Sequence, residues 1–75
     1  METPQPYRVY TPEALGSAIR HYRQEAGLTQ EELAEKAGFH WTYISGVERG
    51  RYNISLDSLV KLAKALGTKP SDLLK

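Results

Sequence analysis

Apolar side chains recur at intervals of three and four residues along most of this 75-residue chain, which is the spacing of amphipathic α-helices. A first helix is predicted to begin at Thr11-Pro12, with threonine as the cap and proline at the first position, and to end at Gly27. Its apolar stripe consists of Leu15, Ala18, Ile19 and Tyr22. Residues 1–10, which contain two prolines, are predicted to form an extended arm or a short strand laid on the helical domain.

A second helix is predicted over Gln30–Ala37 by the spacing of Thr29 and Glu32. These residues have the types and the separation of a capping box, in which each side chain bonds the backbone of the other. Gly38 follows, and glycine adopts the left-handed conformation that ends a helix without steric cost.

A third helix is predicted from about Trp41 to Arg49, capped near His40 and closed by Gly50, with Ile44 and Val47 turned inward. A small alanine in the second helix lets the two helices cross closely, at the roughly 90–120° of a helix-turn-helix. Such a crossing places the second helix of the pair outward, where it can enter the major groove of DNA.

Two further helices are predicted after residue 54. Ser55 can cap the fourth helix, which ends at Gly67, and Pro70 opens a short last helix. The core positions predicted on the fourth helix are Leu59, Val60, Leu62, Ala63 and Leu66, and the last helix carries Leu73 and Leu74. Because the joints between the five helices are short, we expect residues 11–75 to fold as one domain.

Composition narrows the chemistry that this chain can perform. There is no cysteine, and the two histidines, His21 and His40, are isolated, so no metal site is predicted. No nucleophile–base set, paired carboxylate site or glycine-rich phosphate loop is found, which predicts a protein that is not an enzyme and needs no cofactor. The net charge of +1 gives only weak support for nucleic-acid binding. Without an apolar run of about 20 residues or a secretory signal, the expected location is the cytoplasm and not a membrane.

Several residues stand at spacings from one another that are typical of one family. They are Gln30, Ala34, Gly38, Ile44 and Val47, then Glu48-Arg49-Gly50, then Ser55-Leu56 and Leu62-Ala63-Lys64-Ala65-Leu66-Gly67. In this pattern, about residues 13–74 resemble the Cro/C1-type helix-turn-helix family, the XRE-like DNA-binding domains of bacteria and phage. The resemblance implies an all-α fold, a compact five-helix bundle of the lambda-repressor-like kind over residues 11–75, with the extended arm of residues 1–10 before it and the third helix as the recognition helix.

The resemblance implies that the start and the outer face of the third helix read base edges. The corresponding residues are His40, Trp41, Thr42, Ser45 and Gly46. This set lacks the arginine, glutamine or asparagine that makes bidentate contacts with guanine or adenine. Trp41 has an alternative position, packed on a neighbouring helix or on a dimer partner. Glycine inside a helix costs about 1 kcal/mol relative to alanine, so Gly46 either permits close approach of the helix to DNA or meets no requirement at all.

A second set of residues is expected to contact phosphates: Thr29, Gln30, Tyr43, Arg49, Arg51 and Asn53. Gln30 is the foremost candidate, because its amide and the free N–H groups at the start of a helix can face one phosphate. Thr29 has the competing role of helix cap, and the ring of Tyr43 has the alternative of packing at the edge of the core. The resemblance places the remaining three around a loop that approaches the sugar-phosphate backbone in the family.

The family pattern also places an arginine of the first helix, here Arg23, against the glutamate that ends the third helix, here Glu48. We expect a partly buried ion pair that fixes the recognition helix. The chain departs from the family at Lys69, where serine or aspartate commonly caps the last helix. That cap is therefore expected to be weaker by about 0.5–2 kcal/mol.

These observations predict a sequence-specific transcriptional regulator that binds double-stranded DNA as a homodimer, since one recognition helix alone reads too few bases. Tyr52-Asn53-Ile54-Ser55-Leu56 is similar to controller proteins of restriction-modification systems, whereas Tyr10-Thr11-Pro12 is similar to antitoxins, which would also bind a toxin. A protein-interaction module that does not bind DNA is the alternative from another class. The expected dimer contact is an exposed apolar surface on the last helix, together with the Tyr7–Tyr10 segment.

Overall fold

The computed structural model describes residues 11–74, which form five α-helices joined by short loops. These helices are α1 (Pro12–Glu25), α2 (Gln30–Ala37), α3 (Trp41–Glu48), α4 (Leu56–Leu66) and α5 (Pro70–Leu73). The predicted all-helical bundle is therefore confirmed. The arm predicted over residues 1–10 lies outside the described residues, as does Lys75.

The helices begin where the sequence supplies side-chain caps. The Thr11 hydroxyl accepts a hydrogen bond from the backbone N–H of Ala14 at 3.0 Å, and the Ser55 hydroxyl accepts one from Ser58 at 3.1 Å. Both bonds of the predicted capping box are present, because the Thr29 hydroxyl accepts from the Glu32 N–H and the Glu32 carboxylate accepts from the Thr29 N–H. Local sequence thus fixes where the helices start.

The helix ends differ slightly from the sequence-based expectation. α2 and α4 end, as predicted, at glycines in the left-handed region, Gly38 with φ of 81° and Gly67 with φ of 70°. α1 stops at Glu25, two residues before Gly27, and α3 stops one residue early because Arg49 is its cap.

Buried apolar side chains from all five helices form the core. They are Ile19, Leu33, Ala34, Ile44, Val47, Leu59, Leu62, Ala63 and Leu73. The prediction of Val60 as a core residue is wrong, since 45% of it is exposed. Positions 59, 62, 63 and 66 already complete the inward stripe of α4, and Val60 lies beside Leu56, one turn away, on another face.

The short α5 is capped by a carboxylate rather than by the residue at its cap position. Lys69 makes no capping bond through its side chain, in agreement with the expected departure from the family. Instead the Asp72 carboxylate accepts hydrogen bonds from the Thr68 hydroxyl at 2.7 Å and from the Lys69 backbone N–H at 3.2 Å. This arrangement holds the first turn, so that Leu73 is buried in the core.

α1 and α3 approach each other closely at Gly16. A β-carbon at this position would overlap the carbonyl oxygen of Val47 and lie 2.9 Å from that of Glu48. The last turn of α3 therefore rests directly on the backbone of α1. None of the helices in residues 11–74 is long and apolar enough to cross a lipid bilayer.

Candidate nucleic-acid interface

The α2–α3 pair presents one face of α3 to solvent. The turn between the helices is fixed at Ala34, whose carbonyl oxygen accepts hydrogen bonds from the N–H groups of Gly38 and Phe39, both at 2.9 Å. Ile44 and Val47 are almost completely buried, as the sequence predicts. The opposite side of α3 consequently carries the exposed residues Trp41, Thr42 and Arg49 and the half-buried residue Ser45.

His40 caps the exposed start of α3. Its Nδ1 atom accepts a hydrogen bond from the backbone N–H of Thr42 at 3.2 Å and lies 2.8 Å from the Thr42 hydroxyl. A neutral ring that accepts at Nδ1 carries its hydrogen on Nε2. His40 therefore offers an Nε2–H donor at the start of α3, where base contacts are expected.

Trp41 is not packed into its own subunit. About half of the residue, 47%, is exposed, and its ring stacks beside the His40 ring with a centroid separation of 6.2 Å. Packing on a neighbouring helix of the same chain is therefore wrong for Trp41, whereas contact with DNA or with a partner protein agrees with its exposure.

Gly46 is covered by a side chain of the following loop. It is buried, and a β-carbon built on it would overlap Cε2 of Tyr52 and lie 3.1 Å from Cδ2 of the same ring. The Tyr52 ring thus covers Gly46, so the prediction that Gly46 reads bases is wrong, and so is the alternative that glycine meets no requirement there. Glycine stands in α3 because a ring from the following loop lies against the helix.

Tyr52 is the residue of this surface that the sequence analysis missed. Its ring stacks on that of Tyr43 at a centroid distance of 5.5 Å and an angle of 21°, and Tyr43 packs in turn on Phe39 at 4.9 Å. The signal in the sequence was a glycine inside a predicted helix, which often marks close approach of another group. The sequence did not show which group covers this glycine, because Tyr52 lies on the loop that follows the helix.

The predicted ion pair between Arg23 and Glu48 is present and is largely buried from solvent. Arg23 donates from Nε to Glu48 Oε2 at 2.6 Å and from Nη2 to Oε1 at 3.0 Å, and the exposed side-chain fractions are 11% and 3%. Arg23 also donates to the carbonyl oxygen of Leu28 at 2.9 Å. The hydrogen bond with Glu48 raises the pKa of the Arg23 guanidinium, burial opposes the rise, and the Glu48 charge adds to it. The pair ties α1 to the end of α3.

The structure modifies the expected phosphate contacts at α2. Gln30, the foremost candidate, donates from Nε2 to Glu48 Oε1 at 3.1 Å, so its amide belongs to the ion-pair network. The Thr29 hydroxyl oxygen serves the helix cap. Tyr43 is half-buried against the core, which agrees with its alternative role at the core edge. Contact of Tyr43 with a phosphate stays a prediction.

The loop between α3 and α4 leaves its polar residues accessible. Arg51 and Asn53 are exposed, as is Arg49 at the end of α3. Arg51 donates its backbone N–H to the carbonyl oxygen of Gly46 at 2.9 Å, which fixes the start of this loop on α3. The guanidinium groups of Arg49 and Arg51 therefore border the outer face of α3, where positive charge can meet a phosphate backbone.

Comparison with known proteins identifies the arrangement. A profile of the helix-turn-helix family matches residues 19–73. The control protein C.BamHI of Bacillus amyloliquefaciens is 47% identical over 60 residues, which are 79% of this chain and 74% of that protein. The crystal structure of the restriction-modification controller protein C.AhdI from Aeromonas hydrophila superposes with a TM-score of 0.81 and 42% identity, covering 83% of this chain and 94% of that one. The regulator SinR, solved in complex with DNA, gives a TM-score of 0.78 and 39% identity, covering 81% and 98%.

Proposed function

This chain belongs to the Cro/C1-type helix-turn-helix family of DNA-binding transcriptional regulators, and we propose that it is a homodimeric controller of the restriction-modification kind, which reads a two-half-site operator with α3. One observation carries the proposal. The inner face of α3 is fixed by buried Ile44 and Val47, while Trp41 and Thr42 on its other side are exposed.

Base reading is assigned to the exposed part of α3 and its cap. His40 offers one ring N–H donor, Thr42 and Ser45 offer hydroxyl groups, and Trp41 offers apolar surface with one indole N–H. These groups make hydrogen bonds and apolar contacts with base edges in the major groove. The Arg23–Glu48 pair holds the end of α3 against α1, so that the helix enters the groove as a rigid element.

Phosphate contact is assigned chiefly to Arg49, Arg51 and Asn53. All three are exposed, and Arg49 and Arg51 lie beside the outer face of α3. Phosphate contacts supply much of the affinity and set the register on the duplex. Gln30 has a supporting role through the free backbone N–H groups at the start of α2, since its side-chain amide already bonds Glu48.

Homodimer formation is assigned to α4 rather than to the last helix. The expected apolar surface is not found on α5, whose Leu73 is buried and whose Leu74 is half-buried. Leu56, with 73% of its surface exposed, and Val60, with 45%, lie one turn apart on α4. A hollow of about 290 Å³ adjoins Leu56 and is also lined by Leu15, Ile54 and Leu74. Exposed apolar surface of this kind favours a subunit contact.

Assignment to restriction-modification control is supported by C.BamHI and C.AhdI, whose names describe them as controllers. The antitoxin alternative is not favoured, and no toxin partner is proposed. The genes beside this one test the assignment: a neighbouring methyltransferase and endonuclease support it, and an unrelated operon contradicts it.

Gel-shift assays test DNA binding directly. The purified chain is mixed with a duplex that carries the DNA directly upstream of its own gene, and with a duplex of the same composition in scrambled order. We expect the upstream duplex to be bound selectively, with affinity that falls steeply between about 50 and 200 mM salt. Equal binding of both duplexes would contradict sequence-specific reading, and the absence of any shift at low salt would contradict DNA binding itself.

A further inference from the structure

A second hollow, of about 310 Å³, lies on the face of α3 that is assigned to base reading. Its lining includes the aromatic rings of Trp41 and Tyr52 and the hydroxyl-bearing residues Thr42 and Ser45, while Arg49 and Arg51 also border it. Gly46 also lines the hollow, and the Tyr52 ring lies against it there. It combines apolar surface with hydroxyl groups.

The aromatic lining is held in place by its neighbours. The Tyr52 ring stacks on the half-buried Tyr43, and Tyr43 packs on Phe39 near the start of α3. The loop that carries Tyr52 is itself bonded to α3 through the Arg51 N–H and the Gly46 carbonyl oxygen. The hollow is therefore a fixed part of the surface, available without rearrangement of the loop.

The α3 side chains that line this hollow favour an apolar base group over a bidentate contact, while Arg49 and Arg51 at its border are assigned to phosphates. Residues 41–48 contain no asparagine, glutamine, lysine or arginine, the side chains that make bidentate contacts with adenine or guanine. In the major groove, the group that an apolar lining complements is the C5-methyl of thymine. Threonine and aromatic side chains are suited to contact that methyl group.

We infer that the hollow between Trp41 and Tyr52 receives thymine methyl groups of the operator, so that α3 selects thymine-containing steps chiefly through the methyl group. This inference rests on the proposed function, since it names the base chemistry recognised by the same surface. Arg49 and Arg51 then contact phosphates on either side of the step, and Trp41 excludes water from the methyl group.

The probe for the test is a duplex selected by the full chain from a pool with a randomised core. Each thymine of the selected half-site is replaced singly by deoxyuridine, which removes the methyl group and keeps Watson–Crick pairing. We expect at least one position in each half-site to lose about fourfold in affinity, which corresponds to about 0.8 kcal/mol per buried methyl group. The same replacement in the flanking duplex, outside the half-sites, is the control and should change nothing.

Protein variants show whether the methyl group contacts the hollow. In Trp41→Ala, the loss caused by deoxyuridine at the sensitive position should fall below twofold, because the apolar partner is gone. The matched control is His21→Ala, which removes an exposed ring on α1 and should keep the full sensitivity.

The inference is overturned if all deoxyuridine duplexes bind as tightly as the thymine duplex. It is also overturned if the selectivity is lost instead when guanines of the half-site are replaced by 7-deazaguanine, which lacks the N7 acceptor. In both cases selective binding of the unmodified duplex persists and the proposed function stands. Failure to select any duplex at low salt would instead contradict the proposed function.

Discussion

Arg23 and Glu48 are the most secluded charged side chains within residues 11–74 that form an ion pair. The two side chains form two hydrogen bonds with each other. Arg23 also donates to the Leu28 carbonyl oxygen, and Glu48 also accepts from Gln30. Three helices therefore meet at one carboxylate and one guanidinium. Because the pKa of Arg23 is raised, its charge and the stability it contributes are fully present throughout the neutral pH range and are lost only in strongly basic solution.

Removing one member of this pair should destabilise the fold strongly. Glu48→Gln leaves the Arg23 charge without its partner, and we expect a loss of about 3–5 kcal/mol in the free energy of unfolding, measured by urea denaturation. The double variant Arg23→Leu/Glu48→Leu should recover part of that loss, because no unpaired charge remains. Glu35→Gln, at an exposed position on α2, is the control. The single variants Arg23→Leu and Glu48→Leu complete the cycle, and a double variant whose loss equals the sum of theirs would contradict a coupled pair.

Gly46 and Tyr52 allow a similar test of packing. Gly46→Ala gains about 1 kcal/mol of helix propensity but displaces the Tyr52 ring, so its net effect on unfolding should be small. In a Tyr52→Ala background the gain of about 1 kcal/mol should be fully expressed. The same gain in both backgrounds would mean that Tyr52 does not rest on Gly46 in solution.

Arg51 tests the phosphate contacts. Arg51→Ala should weaken binding to all duplexes by a similar factor and reduce the slope of log affinity against log salt by about one unit per protomer. Fluorescence anisotropy titrations at several salt concentrations measure both quantities. Lys64→Ala, in the last turn of α4, serves as the charge-matched control. A loss confined to one sequence would indicate that Arg51 reads bases.

Single residues also mark the limit of sequence reasoning about the site. The pairing of Arg23 with Glu48 could be predicted because the family pattern names both positions. The covering of Gly46 by Tyr52 and the bond from Gln30 to Glu48 could not be predicted, since side chains from different elements meet there. Local spacing contains no information about such contacts.

Among the elements, helix starts and the glycine ends of α2 and α4 were predictable because each depends on side chains within three or four residues. The inward stripes of α1 to α3 follow from periodicity alone. Val60 on α4 was misassigned, because an apolar residue beside the stripe resembles a core residue until the neighbouring helices are placed. The close packing of α1 on α3 at Gly16 also required the tertiary structure.

Gly16→Ala tests that helix contact. Its β-carbon would overlap the Val47 carbonyl oxygen, and backbone atoms cannot turn aside as a side chain can. We expect a loss of about 1–3 kcal/mol in the free energy of unfolding, in spite of the better helix propensity of alanine. Ser17→Ala, at the adjacent exposed position, should be close to neutral. A stabilising Gly16→Ala would show that α1 and α3 lie further apart in solution.

At the scale of the whole molecule, two surfaces have different chemistry. The outer face of α3 is polar and aromatic and is bordered by arginines, whereas α4 presents Leu56 and Val60. A dimer formed through α4 would present two copies of α3 to half-sites about one helical turn, roughly 34 Å, apart. The net charge of +1 is compatible with this arrangement because two exposed arginines, Arg49 and Arg51, lie beside the outer face of α3.

Leu56→Lys should disrupt dimer formation through α4 without changing the outer face of α3. Since Leu56 is 73% exposed, the change should leave the stability of the monomer unaltered while it dissociates the dimer and weakens binding to a two-half-site duplex. Sedimentation equilibrium measures the association, and Leu56→Met, which keeps the apolar contact, is the matched control. Unchanged association of Leu56→Lys would place the subunit contact elsewhere.

Contact between the outer face of α3 and duplex DNA can be observed in an NMR titration of the ¹⁵N-labelled chain with the selected duplex. We expect the largest amide shift changes on residues 40–45 and 51–53, with smaller ones at the start of α2 and little change at the end of α4. Changes concentrated on the end of α4 and on α5, or no changes at low salt, would show that the outer face of α3 does not bind the duplex.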